Sequence, residues 1–444
     1  MQSKYIHYSN LSSRLDPLYY LSDLAIFTDR QITASIGELC SSMYSGFAAG
    51  KETQVKKESG YIQIRPTNIM PDGRLSFEKN VYVPKNRNYT FIPQKAVLFN
   101  NTNSQELVGK TAILDLPNED QYYCSNHITV IIPDQTKLLP EYLWIILNLY
   151  QQHNIFYSIC TNWNNQSGVN ASLLKTIKIP IFSEETKVSL YYQHTIVDMW
   201  LKALLIKEQK EQQANALLAS IDDYLLSELG IERPNLARKE NGRFFYTSFK
   251  EITGGELAPI SVQNRGKQSK STQYKEIKLS TIASITKGQA ITSKEIVDGE
   301  YPVIAGGQSS PYTHNQYNHK GDVITVSASG AYSGYVWYHD YPIFASDCSV
   351  IFSKDNNVFL TKYIYEILRV RQKEIYLLQK GAGQPHVYAS DLAQITIPVV
   401  SIEKQMEIIL HCNNLRIAAA ELTQEGKNLV ESAKMTIEAM ILGE

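Results

Sequence analysis

Two distant stretches of this chain carry nearly the same message, and that repetition restricts its fold more than any other feature. Residues 165–180 read NQSGVNASLLKTIKIP and residues 383–398 read GQPHVYASDLAQITIP. At a constant offset of 218, eight of the fifteen positions from 166 to 180 are identical without a gap: Gln166, Val169, Ala171, Ser172, Leu174, Ile177, Ile179 and Pro180. Self-similarity at a long period means that one structural plan is used twice, which decides the architecture before any local reading.

Further pairs follow in the same order. Tyr142–Leu147 (YLWIIL) lies over Tyr363–Leu368 (YIYEIL), and the same offset of 221 sets Ser125-Asn126-His127 over Ser346-Asp347-Cys348. Val97-Leu98-Phe99 corresponds to Val323-Ile324-Thr325, and Gly109 to Gly334 within a residue. At the front, YSNLSSRLDP (Tyr8–Pro17) is similar to FKEITGGELAP (Phe249–Pro259). The two copies are therefore about residues 1–235 and 236–444.

Each copy begins with a strand-rich globule. Short apolar segments bounded by Gly, Pro, Asn and Asp predict strands: IQIRPTNI, KAVLFN, KTAILDL and HITVIIP in the first copy, YPVIAGG, GDVITVSASG, SGYVWY and CSVIF in the second. PEYLWIILNLYQ has apolar residues at helical spacing and predicts a helix packed on that sheet.

A long helix follows each globule. Ser183–Leu229 contains neither Pro nor Gly, and Leu190, Val197, Leu204, Leu218 and Leu225 recur at multiples of seven, interrupted by Glu211. Ser401–Ile441 carries Leu415, Leu422 and Leu429 at that spacing, and its only glycine is Gly426. Both runs follow an Ile-x-Ile-Pro ending and a serine, IPIFSEE and IPVVSIEK. Pro ends the strand, Ser offers an N-cap, and Glu suits the positive end of the helix dipole. A helix of about 45 residues is ~65–70 Å long, and two such helices with one apolar seam each bury it best by pairing.

The expected fold is α+β, with two strand-rich mixed α/β globules separated by a long antiparallel two-helix coiled coil. The expected boundaries are 1–181 for the first globule, 182–235 for the first long helix and its turn, 236–399 for the second globule with a basic N-terminal segment, and 400–444 for the second long helix.

Composition bounds the rest. A length of 444 residues suggests two to four domains, and 43% hydrophobic residues argue for packed cores. The longest apolar runs, such as Ile128–Ile132, fall far short of the ~18 residues that cross a bilayer, and no charged start followed by an apolar segment suggests a signal peptide. Five cysteines without CxxC spacing read as reduced thiols of a cytoplasmic protein. A net charge of −1 does not advertise a nucleic-acid binder. The basic excess is local, with nine Lys/Arg against four Asp/Glu in 232–275 and fourteen against twelve in 25–181.

The order of strand-rich domain, I-x-IP and long helix, given twice, resembles the DNA specificity subunit of type I restriction-modification systems. YIQIRPTNIMPDGRL, LFNNTNSQELVGKTAIL and the Ala-Ser-x-Leu-x-x-Ile-x-Ile-Pro endings look like target recognition domains of that family, and SRLDPLYY resembles segments that precede them. The resemblance covers essentially the whole chain. It implies that each recognition domain binds one half of a bipartite, asymmetric DNA sequence and that the paired helices set the unread spacer. It further implies double-stranded DNA and two adenine methyltransferase subunits as partners, with two restriction/translocase subunits joining for cleavage. The methyltransferases use S-adenosylmethionine and flip the target base; the specificity subunit itself performs no chemistry. Related alternatives are the specificity component of a two-subunit enzyme that cuts on both sides of its site, and a coiled-coil scaffold whose globules bind peptides.

Motifs for chemistry within this chain fail on their spacing. None of the sixteen prolines is adjacent to another, so the Pro-Pro signature of an amino-methyltransferase is missing. GAGQPH lacks the third glycine of a dinucleotide loop, and Gly109-Lys110-Thr111 lacks the glycine five residues upstream, where Ser104 stands. Pro133-Asp134 with Glu185-Thr186-Lys187 can be forced into a nuclease pattern, but the second element opens a long helix. Nine scattered histidines give no metal-ligand spacing. No catalytic, cofactor or metal residues are expected.

Candidate DNA contacts are the polar loops between strands. Asn and Gln can pair with adenine, Arg and Lys with guanine, and hydroxyls with base edges or phosphates. These are Arg65, Asn68, Asn101, Asn103, Lys110 and Gln166 in the first copy. In the second they are Gln308, Tyr312, Thr313, Ser327, Ser329, Gln384 and His386. The copies differ most here, NNTNSQELVG facing SASGAYSG and RPTNIMPDG facing AGGQSSPYTHN, which suggests two different half-sites.

Overall fold

The computed structural model describes residues 27, 32–85, 88–117, 120–164, 166–181, 183–184, 187–232, 269–381 and 383–442. The SRLDPLYY segment, its counterpart at 249–259 and most of the basic segment before the second globule lie outside the described residues. Two compact units emerge, residues 1–208 with 425–444 and residues 209–424. Each long helix therefore contributes to both.

In the first unit, β1 (Cys40–Ser45), β2 (Val97–Asn100), β3 (Thr111–Ile113) and β4 (Ile128–Pro133) form an antiparallel sheet in the order β1-β4-β2-β3. The two-residue side-chain period explains its packing. Val97 and Phe99 of β2, with Ile131 of β4, pack against α1 (Pro140–Gln152), while Leu98 and Val130 face Ile64, Tyr122 and Cys124 on the other side. Those last residues belong to a second sheet in which Tyr61–Ile64 pairs antiparallel with Val81–Val83 and parallel with Tyr122–Cys124. The chain leaves the globule through Lys178–Pro180, paired with Thr33–Ser35, and enters α2 (Leu190–Glu228).

The second unit repeats this plan. β5 (Ala283–Lys287), β6 (Val323–Ser327), β7 (Val336–His339) and β8 (Cys348–Ser353) take the order β5-β8-β6-β7. Tyr301–Ile304 pairs antiparallel with Thr313–His314 and parallel with Phe344–Ala345, and α3 (Thr361–Val370) covers the sheet as α1 does. Glu276–Lys278 pairs with Thr396–Pro398 ahead of α4 (Ile402–Leu442). Even single hydrogen bonds recur: Tyr142 Oη donates to Pro180 O at 3.0 Å, and Tyr363 Oη to Pro398 O at 2.9 Å.

The long helices depart from expectation at two points. α2 starts at Leu190 and not at Ser183, because Ser183–Glu184 pair antiparallel with Lys187–Val188; Ser401 does cap α4, accepting the Lys404 N–H at 3.3 Å. The buried seam also differs from the leucine heptad, since Leu218 and Leu429 are exposed. In the second unit the buried positions include Ala214, Ile221, Leu225, Ile408, Cys412 and Ala419. In the first they include Ile196, Val197, Ala203, Ile437 and Ile441. Gly426 is buried there too, and a Cβ on it would stand 3.3 Å from Lys207 Cγ. An α-helix drifts against a strict seven-residue repeat, so the buried line keeps Val197 and Leu225 of the heptad, leaves out Leu218 and Leu429, and takes in Ala214, Ala419 and Gly426. Within the second unit Tyr224 stacks on His411 and Glu228 pairs with Lys404, an antiparallel register.

One buried glutamine ties each helix to its globule. Gln193 on α2 accepts the Leu139 N–H at 2.9 Å and donates to Lys137 O at 3.0 Å. Gln405 on α4 accepts the Leu360 N–H and donates to Val358 O, both at 2.8 Å. Each thereby satisfies the orphan groups at the start of the covering helix.

Candidate nucleic-acid interface

At one end of the main sheet in each unit, loops meet in a corner built from backbone hydrogen bonds. In the first, Ser125 N donates to Ile64 O, Phe47 N to Cys124 O, Asn101 N to His127 O and Val169 N to Asn101 O, at 2.9–3.1 Å. In the second, Ser346 N donates to Ile304 O, Gln289 N to Ala345 O, Ala328 N to Asp347 O and Val387 N to Ala328 O, at 2.7–3.2 Å. Gly109 and Gly334 turn the matching loops with φ of +91° and +95°, a conformation that glycine alone adopts freely. Burial pushes the thiols of Cys124 and Cys348 up to about 12, so both serve as small apolar side chains beneath the corner.

All six candidate residues of the first copy belong to this connected set of loops, but they do different things. Asn68, Asn101 and Lys110 are buried. Asn68 Nδ2 donates to Ser76 O and Lys79 O, Asn101 Nδ2 to Asn126 O and Thr129 Oγ1, and Lys110 Nζ to Pro66 O and Ile69 O. These groups hold the loops up from within, and burial lowers the Lys110 pKa. Arg65 is half-buried, its guanidinium shared between Gln63 Oε1 and Ala49 O. Asn103 sits on a strand paired with Ser167, its Oδ1 accepting the Ser104 N–H. Gln166 is exposed on the hairpin it forms with Trp163.

In the second copy Ser327 is buried and donates to Gly307 O at 3.1 Å, another supporting role. Ser329 Oγ donates to Asp347 Oδ2, and its backbone bridges His386. Gln308 and Gln384 are exposed on the loops that meet there. Thr313, bonded to Asp298, opens the small sheet's edge strand, and Tyr312, 59% exposed, precedes it. A cleft of about 450 Å³ opens at this corner, lined by Lys287, Asp347, His386 and Tyr388 among others.

Several surface groups at the corners were passed over in reading the sequence. Asn126 and Asp347 each follow the serine that anchors the corner and are exposed. Tyr89 stacks on Phe47 with ring centroids 3.7 Å apart, and Trp163 stands 46% exposed on its hairpin. Lys51, Lys56 and Lys57 are exposed on the loop after β1, as is Lys287 at the end of β5. The signal for Asn126 and Asp347 was the alignment of the two copies itself; for the others only their place in space identifies them. Among the described residues no group of three His, Cys, Asp or Glu is placed to hold a metal ion.

The arrangement is a rigid backbone frame, used twice, that presents different polar side chains. Comparison with known proteins places it. The model of the type I restriction modification DNA specificity domain matches residues 33–218 and again 271–432. A putative type I restriction enzyme specificity subunit of Methanocaldococcus jannaschii is 36% identical over 85 residues, 19% of this chain and 20% of that protein. A putative type I specificity subunit of Mycoplasma pneumoniae is 20% identical over 368 residues, 82% of this chain and 87% of that one. A solved structure described in terms of complex assembly and conformational transition of the type I restriction-modification system shares the fold. Its TM-score is 0.54 at 13% identity, covering 93% of this chain and 96% of that one. With two matched regions spanning most of its length, the chain belongs to the family of type I restriction-modification DNA specificity domains.

Proposed function

We propose that this chain is the sequence-reading, non-catalytic subunit of a type I restriction-modification complex. Each globule reads one half of a bipartite asymmetric DNA site, and the long helices set the unread spacer. Adenine methyltransferase subunits dock on the helices and bring S-adenosylmethionine, and restriction/translocase subunits complete the nuclease. DNA as the ligand puts the complex in the cytoplasm. The observation that carries this reading is the corner: the same backbone hydrogen bonds occur in both copies while the exposed side chains on them differ, as expected of one scaffold that reads two different sequences.

The helices support the partner part of the reading. Met406, Leu410 and Ile417 are 56%, 62% and 56% exposed, and their spacing of four and seven puts them on one face of α4. An uncovered apolar stripe on a helix marks a protein contact.

The test is methyl-adenine mapping by single-molecule sequencing, in cells that carry the partner methyltransferase with and without this chain. Methylation at one bipartite motif that disappears with the chain supports the reading. An unchanged methylome, with the methyltransferase active, refutes it in favour of a protein scaffold.

A further inference from the structure

We propose that Asp347 and its counterpart Asn126 are the central base-reading residues of the two globules. Asp347 accepts a hydrogen bond from an exocyclic amino group in the major groove, cytosine N4 or adenine N6. This inference rests on the DNA-reading function proposed above.

The two residues take the first place after the anchoring serine, in turns of which the first copy's is one residue longer, so that His127 O and Asp347 O accept the matching bonds. Asn126 follows Ser125, whose N–H donates to Ile64 O, and Asp347 follows Ser346, whose N–H donates to Ile304 O. The backbone beneath has no slack. A Cβ at Gly46 would stand 2.0 Å from Cys124 O, and one at Gly288 would stand 2.1 Å from Ser346 O. The corner is thus rigid before any ligand arrives, which is what precise recognition requires of its support. Both side chains are exposed on it.

Asp347 is also aimed. Ser329 donates its hydroxyl to Oδ2, and Gly306 leaves room, since a Cβ there would lie 3.3 Å from the same oxygen. Among the described residues no cation pairs with this carboxylate. A carboxylate accepts hydrogen bonds and cannot donate them. Phosphates repel it, as do guanine N7 and O6 and thymine O4. In the major groove only cytosine N4 and adenine N6 donate. Every base pair carries one of these amino groups, on one strand or the other. Asp347 therefore accepts a pair in one orientation and rejects it turned round, partly by repulsion. Asn126, which both donates and accepts, suits adenine N6 and N7. Ser329 is a positioning residue that acts through Asp347.

The test uses the full chain with its methyltransferase partner and the methyl-adenine map as readout. For D347A and D347S, one position of one half-site should become degenerate between a base pair and its reverse, with discrimination falling about tenfold or more, and the other half-site unchanged. N126A should do the same in the other half-site only. The native base at the relaxed position tells cytosine from adenine as the partner. D347A and D347S proteins that methylate the native motif with undiminished discrimination at every position overturn the proposal. A native chain that directs methylation to no bipartite motif refutes the DNA-reading function instead, a separate result.

Discussion

Glu366 on α3 and Arg416 on α4 form a bidentate ion pair, Nη1–Oε1 at 2.7 Å and Nη2–Oε2 at 2.6 Å. At the corresponding places of the first copy stand Ile145 and Leu204, both part of its apolar core. The same seat is thus filled once by charge and once by hydrocarbon, and the structure says what each exchange should cost. The Glu366 side chain is 0% exposed, whereas Arg416 is 28% exposed and lies against the Tyr365 ring. Arg416→Leu strands a fully buried carboxylate, because Lys362 is held over the Tyr338 ring at 3.8 Å. That should cost about 3–5 kcal/mol. Glu366→Ile leaves a guanidinium that still reaches water, and should cost only about 1–2 kcal/mol. The double variant reproduces the first copy's pair and should lie within about 1 kcal/mol of the native protein. Amide hydrogen exchange at Val323–Ser327 reads opening of the second unit alone, which matters in a chain of two units that need not unfold in one step. A double variant as unstable as Arg416→Leu would refute the equivalence of the two seats, and so would equal costs for the two single changes.

Three further predictions follow from the same geometry. Gln405→Ala removes two backbone partners and should cost about 1–3 kcal/mol by the same exchange measurement, while Gln193→Ala should affect only the first unit. Gly288→Ala drives a Cβ into Ser346 O and should destabilise by about 1–3 kcal/mol or displace the corner; a native exchange pattern around Ser346 would contradict the close approach. His339 is buried, bonded to Thr325 Oγ1 at 2.8 Å, and burial lowers its pKa from 6.5 to about 4. The unfolded chain therefore binds the proton first, so this contribution is complete above pH ~6.5 and is lost as pH falls towards 4, roughly 3 kcal/mol in all. Denaturation of native and His339→Gln proteins between pH 7 and 4 should differ by that pH-dependent amount, and parallel curves would show that His339 is not the group responsible.

The duplication, six of the eight main-sheet strands, the strands at Tyr61–Ile64 and Tyr301–Ile304 and the covering helix were legible because they rest on local signals: β-branched runs between turn residues, apolar spacing and the repeated Ile-x-Ile-Pro exits; β1 and β5, CSSMYS and ASITK, carry too few apolar residues to stand out. The helix seam was read only in part, because leucine periodicity found Val197 and Leu225 but not the buried Ala214, Ala419 and Gly426, whose smallness looks like weakness in a sequence. The candidate site was half legible. Polar loop composition pointed to the right loops, yet Asn68, Asn101, Lys110 and Ser327 turned inward to satisfy backbone groups that no sequence displays. A side chain's direction depends on which carbonyl lies within 3 Å, and those carbonyls come from residues tens of positions away, as Pro66 does for Lys110.

This distribution explains how one plan can be kept while its reading changes. The corner is held by main-chain N–H and C=O groups, which every residue but proline supplies, so its geometry makes no demand on the identity of residues 126, 328 or 347. Its demands fall on a few sites that are not read: glycine at 46 and 288, where a side chain would strike the opposing carbonyl, and glycine at 109 and 334, where φ is positive. Asn126 and Asp347 can both stand on this frame without cost to it. Substitution at the exposed seats should therefore leave stability within about 0.5 kcal/mol of native, while substitution at the glycines should collapse the corner whatever DNA the globule reads.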